Sequence, residues 1–228
     1  MTKQDSHLDH PLEKEIQCEA KSGAQLKEKH HMIAEVAAPL FIKKGFHATS
    51  IREIAKAAGM SMGHLYHYIT SKDDILFLVY RELYRKWEES FDALKAEGIK
   101  DPVKRLKALM LNMLRITYLN KELTQMTLRE SKFLQKAALK KVLYMESEYI
   151  GLFVKTLQDG IAKGVFKAFD PKIMGNFIAY NMFFFPLRSW YFRDSVSFAE
   201  VEKEVLNFTL GALLKHSSTL EAAPPGEQ

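Results

Sequence analysis

The chain is predicted to be all-α, a short three-helix head with a helix-turn-helix joined to a larger helical body. Three observations predict this. Apolar residues recur at helical spacing along nearly the whole chain, alternating β-branched runs are missing, and helix starts and stops crowd into residues 50 to 76. The 228 residues can build such a head and body without disulfide staples. Cys18, the single cysteine, excludes an internal disulfide or a cysteine-rich metal site and reads as a free surface thiol.

Residues 1–24 mix charges with Pro11 and Gly23 and lack apolar periodicity, so they read as a flexible arm. The first helix is expected over about 25–44, with Ile33, Val36, Ala37, Leu40 and Phe41 on one face, a bend at Pro39 and Gly45 as its stop. Ser50 and Glu53 form a capping box for a second helix that Gly59 ends after barely two turns. Ser61 caps a third helix of similar length, which makes the pair a helix-turn-helix. Ser71 caps a fourth, with Asp73 and Asp74 against its positive dipole end, running to about Glu97 before Gly98.

Longer helices follow over about 102–119, opened by Asp101-Pro102, then 121–134, 136–163, 171–192 opened by Asp170-Pro171, and 199–215. Residues 217–228, with Pro-Pro-Gly, read as a flexible tail. The boundaries are therefore 1–24 for the arm, 25–72 for the helix-turn-helix head, 73–216 for the helical body, and 217–228 for the tail.

In a DNA-binding helix-turn-helix the second helix enters the major groove, so its inner residues must be apolar and its outer ones small or polar. In "SMGHLYHY", Leu65 faces inward, Met62, Gly63, His64 and His67 face outward, and Tyr66 lies at the boundary. Gly63 costs about 1 kcal/mol of helix propensity against alanine, a cost that suits close approach to DNA. Thr49, Ser61, Tyr66 and Lys72 are placed for phosphate contacts, which need hydroxyls, helix-start amides and lysine rather than sequence-reading groups.

The stretch "LFIKKGFHATSIREIAKAAGMSMGHLYHYITSKDDIL" resembles the DNA-binding region of TetR-family transcriptional regulators. Leu40-Phe41, Gly45-Phe46, Thr49-Ser50, Ile54-Ala55, Ala58-Gly59, Ser61, Gly63, Leu65-Tyr66, Tyr68 and Ser71-Lys72 carry the likeness; Ile69 departs from it where phenylalanine is usual. The resemblance implies a homodimer that binds a palindromic operator, usually as a repressor, and leaves it when a small molecule enters the body. By that likeness Thr49, Tyr66 and Lys72 hold phosphates and Arg52, Met62, Gly63, His64 and His67 approach bases, with Ser50 and Ser61 completing the DNA-binding set.

His64 and His67 stand at metal-ligand spacing, but no third ligand accompanies them, so no metal is expected. His30 and His31 are read as solvated, Met60 as packing, and Glu146 and Glu148 as an ordinary charged face. No phosphate-binding loop, nucleophile elbow or His-Glu-x-x-His pair is present, so neither an enzyme nor a cofactor is expected. The leader is polar where a secretory signal is apolar, and Ile173–Leu187 is too short and too interrupted by Asn176 and Asn181 to span a membrane. A cytoplasmic protein without membrane contact is expected.

The body is rich in Met and aromatic residues: Met110, Met113, Leu114, Tyr118, Met126, Tyr149, Phe153, Met174, Phe177, Tyr180, Phe183 and Phe184 could line a pocket for a hydrophobic effector. "ESKFL", "LQDGIAKGVFKAFDP" and "FFFPLRSWYF" resemble the body of TetR-type regulators that sense fatty acyl-CoA or related CoA thioesters. That likeness makes Arg129, Lys132, Arg188 and Arg193 candidates for the anionic end of the ligand, with Trp190 stacking on a flat group; surface salt bridges are the alternative for the charges. Pro186 is expected to kink its helix.

Dimerisation is assigned to the last two long helices, with Val201, Val205, Phe208, Gly211 and Ala212 as an apolar face; the same face could instead close the monomer core. Two other functions compete: a drug-sensing TetR-type repressor of an efflux system, and a helical ligand-binding or adaptor protein without DNA binding.

Overall fold

The computed structural model describes residue 16, residues 23–192 and residues 195–215. Cys18, Arg193, the tail 217–228 and most of the arm therefore lie outside the described residues. From the arm, Ile16 is buried against the core and Ala24 already belongs to the first helix.

Ten α-helices make up the described fold. The head comprises α1 (Ala24–Lys44), α2 (Ile51–Ala57) and α3 (Met62–Tyr66). The body comprises α4 (Lys72–Ala96), α5 (Pro102–Leu119), α6 (Lys121–Glu130), α7 (Lys136–Ala162), α8 (Pro171–Asn181), α9 (Phe184–Arg188) and α10 (Phe198–Leu213). A single 3₁₀ turn, Ser131–Phe133, follows α6. Among the described residues the one β-bridge, between Phe166 and Leu214, ties the end of α10 to the segment after α7.

Local chemistry explains the boundaries. Complete capping boxes, Ser50 with Glu53, Ser71 with Asp74 and Ser197 with Glu200, open α2, α4 and α10. The Asp101 and Asp170 carboxylates accept from backbone N–H groups at the starts of α5 and α8, each with proline in the first turn. Gly59, at φ 64°, makes the left-handed turn between α2 and α3 that a side chain would strain. The first helix runs through Pro39 unbroken.

One long helix expected over 171–192 is instead two. Pro186 lacks the N–H that would pair with the carbonyl of Met182, four residues back, so the helix parts at Met182 and Phe183. The Thr117 hydroxyl lies 3.1 Å from the freed Met182 carbonyl and so stands in for the missing donor, while also lying close to its own Met113 and Leu114 carbonyls. The break is therefore held by α5.

The core is continuous from head to body. Ile33, Ala37, Phe41, Ile54 and Leu65 fill the head, and Trp87, Phe91, Met110, Met113, Phe153 and Phe166 fill the body. α4 is the shared wall, packing on α1 at one end and on α5 and α7 further along. Burial of a large apolar side chain stabilises by about 1.5–3 kcal/mol, so the many buried residues of α4 anchor it firmly to both parts.

Candidate nucleic-acid interface and effector chamber

The third helix is built to be held from behind. Leu65 is fully buried, whereas Gly63, His64, Tyr66 and His67 are exposed and Met62 is half-buried. Ser61 Oγ accepts from the His64 N–H at 3.1 Å and fixes the start of the helix. A Cβ added at Gly63 would meet nothing, so the open face there is free for close approach by another backbone or a phosphate chain. His64 Nε2 lies 3.2 Å from the Tyr68 hydroxyl, which orients the imidazole. Arg52 and Ser50 are exposed on the adjoining α2.

One of the expected phosphate contacts is corrected, and a second makes internal contacts. Thr49 is 0% exposed, and its hydroxyl donates to the Gly45 carbonyl at 2.9 Å. Its side chain locks the turn after α1 and cannot reach a phosphate. Lys72 directs its ammonium at the carbonyls of Phe46 (2.9 Å), Thr49 (3.1 Å) and His47 (3.3 Å) and sits 4.4 Å from the centre of the Phe46 ring. Its ammonium thus faces three carbonyls, so Lys72 ties the α1–α2 loop to the start of α4.

Electrostatics reinforce that frame. The Lys44 ammonium and the Ser50 backbone and hydroxyl donors hold the Glu53 carboxyl down at about 2. His30 is buried rather than solvated: its Nε2 lies 2.8 Å from the Tyr68 carbonyl, and burial pushes its pKa below the ordinary histidine value. His31 is half-exposed, with Nδ1 2.8 Å from Glu82 Oε2, near enough for charge attraction but off the line of a hydrogen bond. It borders a cleft of about 530 Å³ between α1, α4 and the α5–α6 corner.

The body touches the head at Phe133. Its ring stacks on Phe46, with centroids 5.9 Å apart, and meets His47 edge-on at 4.1 Å. Behind it, Gln125 on α6 donates to the Pro186 carbonyl of α9, and the Tyr80 hydroxyl of α4 donates to the Thr127 carbonyl. The segment formed by α6 and the 3₁₀ turn therefore touches α9 at one end and the α1–α2 loop at the other.

The residues expected to line an effector pocket separate into two groups. Met110, Met113, Leu114, Met126, Phe153 and Phe183 are buried, with Tyr118, Tyr149, Met174 and Phe184 partly so. Tyr149 lies 5.5 Å from Trp87 and 5.1 Å from Phe91, and its hydroxyl donates to the Tyr84 carbonyl. Phe177, Tyr180 and Trp190 are exposed and do not join this interior. Arg129, Lys132 and Arg188 are exposed too; Arg129 pairs with Glu130 at 2.8 Å and Lys132 lies over Phe133. Glu146 is half-buried instead of solvated, and its burial raises the carboxyl above the usual range. Trp87 and Asn112, which were not anticipated, belong to the interior; each is isolated among charged or apolar neighbours in sequence and gave no motif.

On the outer face, Ile173, Phe177 and Tyr180 (71% exposed) of α8 stand beside Phe208 (76% exposed) of α10, with an apolar groove of about 290 Å³ between the helices. Val201 turns into the monomer core, whereas Phe208, Gly211 and Ala212 face outward. Among the described residues no three His, Cys, Asp or Glu side chains group as metal ligands, and no helix is long and apolar enough to cross a membrane.

A capped helix-turn-helix fused through one shared helix to an aromatic-filled bundle defines a DNA-binding regulator with a ligand-responsive body. Residues 33–79 match the bacterial regulatory proteins, tetR family, and residues 99–210 match the tetracyclin repressor-like C-terminal domain. The chain belongs to the TetR family of transcriptional regulators and is not an enzyme.

It is 28% identical over 183 residues to the HTH-type transcriptional regulator HbdR of Aromatoleum sp. (strain CIB), covering 79% of each chain. It is 26% identical over 149 residues to the fatty acid metabolism regulator protein of Bacillus subtilis (strain 168), covering 63% of this chain and 73% of that one. Among solved structures, AibR in complex with isovaleryl coenzyme A and operator DNA shares the fold at a TM-score of 0.67 and 22% identity, over 82% of this chain and 98% of that one.

Proposed function

We infer that this TetR-family regulator is a repressor that releases a palindromic operator when a hydrophobic acyl compound, foremost a fatty acyl-CoA or related CoA thioester, enters the body. The observation that carries this reading is the aromatic interior around Trp87 and Tyr149, joined by one continuous α4 to the clamp at Lys72. Support comes from relatives whose names state fatty acid metabolism or a bound acyl coenzyme A. A cytoplasmic location follows from this function.

In this reading Arg52, Met62, Gly63, His64 and His67 approach bases, and Ser50, Ser61 and Tyr66 approach phosphates, while Thr49 and Lys72 position the loop behind them. The head occupies 25–72 and the body 73–216, so the division falls at the first turn of α4. Two copies join through α8 and α10, whose exposed Ile173, Phe177, Tyr180 and Phe208 need an apolar partner. Such a dimer reads half-sites about 34–36 Å apart.

Mass spectrometry of small molecules carried through native purification, followed by their addition to the protein–operator complex, tests the reading. An acyl-CoA that is carried through and that releases DNA is the expected result. A carried cationic drug that releases DNA would instead mark a sensor for an efflux system, and an acyl-CoA that leaves DNA affinity unchanged counts against acyl control.

A further inference from the structure

Three buried polar groups of the body lack a partner among the described residues, the Thr124 hydroxyl on α6 and two N–H donors on α4 and α5. Trp87 is 2% exposed, and its indole Nε1–H meets no partner; the Asn112 Nδ2 amide is likewise buried and unpaired, although Asn112 Oδ1 accepts from Ser90 Oγ at 2.5 Å. Folded proteins rarely leave such groups unmade, because removing an N–H from water without an acceptor is costly.

The two donors lie along one seam. Trp87, Ser90 and Phe91 occupy positions i, i+3 and i+4 and so share a face of α4, and Asn112 meets that face from α5. Aromatic rings wall the indole: Tyr84 at 4.9 Å, Tyr149 at 5.5 Å and Phe183 at 5.5 Å between centroids.

Two N–H donors without acceptors select a ligand atom that offers lone pairs. A carbonyl oxygen meets that requirement; a quaternary ammonium leaves both donors unpaired. We propose that Trp87 Nε1–H and Asn112 Nδ2–H receive the carbonyl oxygen of an acyl effector in the seam between α4 and α5. The proposal rests on the effector reading above and specifies the chemical group recognised.

The position also connects to the head. Phe183, on the indole, lies at the α8–α9 break, and Lys72 begins the helix that carries Trp87, about 22 Å away at 1.5 Å per residue.

Octanoyl-CoA, its thioether analogue S-octyl-CoA, which lacks the carbonyl, and decyltrimethylammonium test this by calorimetric titration of the full-length protein. Wild type should bind octanoyl-CoA about tenfold or more tightly than S-octyl-CoA, as for one hydrogen bond made to a buried donor. In Trp87→Phe the preference should fall below about threefold, measured at a temperature where the ligand-free variant is folded, because the smaller ring also leaves a cavity that lowers its Tm. Asn112→Leu, which leaves the indole in place, should reduce the preference in the same direction.

Equal binding of the two CoA compounds by wild type overturns the carbonyl assignment while leaving CoA recognition intact. Unchanged preference in both variants overturns the choice of donors. Binding of decyltrimethylammonium alone overturns the proposal but leaves the body as an effector domain, and failure of all three to bind overturns both.

Discussion

Phe133 of the body stacks on Phe46 of the head, ring centroids 5.9 Å apart and planes 22° from parallel, beside the loop whose carbonyls Lys72 holds. A ring pair of this kind contributes about 0.5–1.5 kcal/mol beyond its buried area, comparable to the 1–3 kcal/mol of a typical allosteric coupling. Phe133→Ala should therefore keep operator affinity within a few-fold while shrinking the effector-induced loss of affinity about five- to tenfold. Fluorescence anisotropy with and without effector reads both quantities, and an unchanged effector response would place the coupling elsewhere.

Lys72 gives a test that separates a clamp from a phosphate contact. Both roles predict that Lys72→Met weakens binding to every sequence about alike. A phosphate contact would also lower the slope of log affinity against log salt by about 1, because one fewer counterion is released. The three carbonyl contacts predict an unchanged slope.

His64 and Arg52 should behave differently. Alanine at either position is expected to cost about 1–3 kcal/mol on the preferred operator and to relax base preference at particular positions. Selection from randomised DNA with each variant checks this; loss spread evenly over all sequences would remove them from base reading.

These residues mark the limit of what was legible in the sequence. Ser50, Ser61, Ser71, Asp101 and Asp170 announce their helices because a cap acts within three residues, and the observed starts follow them directly. The inward turn of Leu65 was equally plain from period. Lys72, however, meets carbonyls 23 to 26 residues away, and His30 meets Tyr68 across 38 residues. Such partners leave no local pattern, so a lysine at a helix start read as an anion site and a histidine pair read as solvated. Pro186 signalled a disturbance, but the break fell at the far end of its missing hydrogen bond, where Thr117 could receive it.

His30 makes the head sensitive to acid. Burial lowers its folded-state pKa beneath the ordinary 6.5, so below that pH the unfolded chain takes up the proton more readily than the native one. Its contribution is complete above 6.5 and declines as pH falls through 6.5 toward the lower folded value. The Tm should therefore fall between pH 7.5 and 5.5, and His30→Gln should flatten that decline. An identical decline in the variant would assign it to other groups.

The outer face of α8 and α10 predicts the oligomer. Phe208→Asp places a charge on an apolar strip that includes Phe177 and Tyr180, and sedimentation should show a dimer for wild type and a monomer for the variant. A wild-type monomer at micromolar concentration would exclude this interface.

The most direct test is operator binding by the full-length protein, titrated at several salt concentrations against a palindrome selected from randomised DNA, before and after addition of octanoyl-CoA. The account predicts a dimer that binds the palindrome in preference to scrambled DNA, with affinity falling steeply as salt rises and falling again when the acyl-CoA is added. A folded protein that binds palindrome and scrambled DNA alike at every salt, and ignores the acyl-CoA, would contradict it.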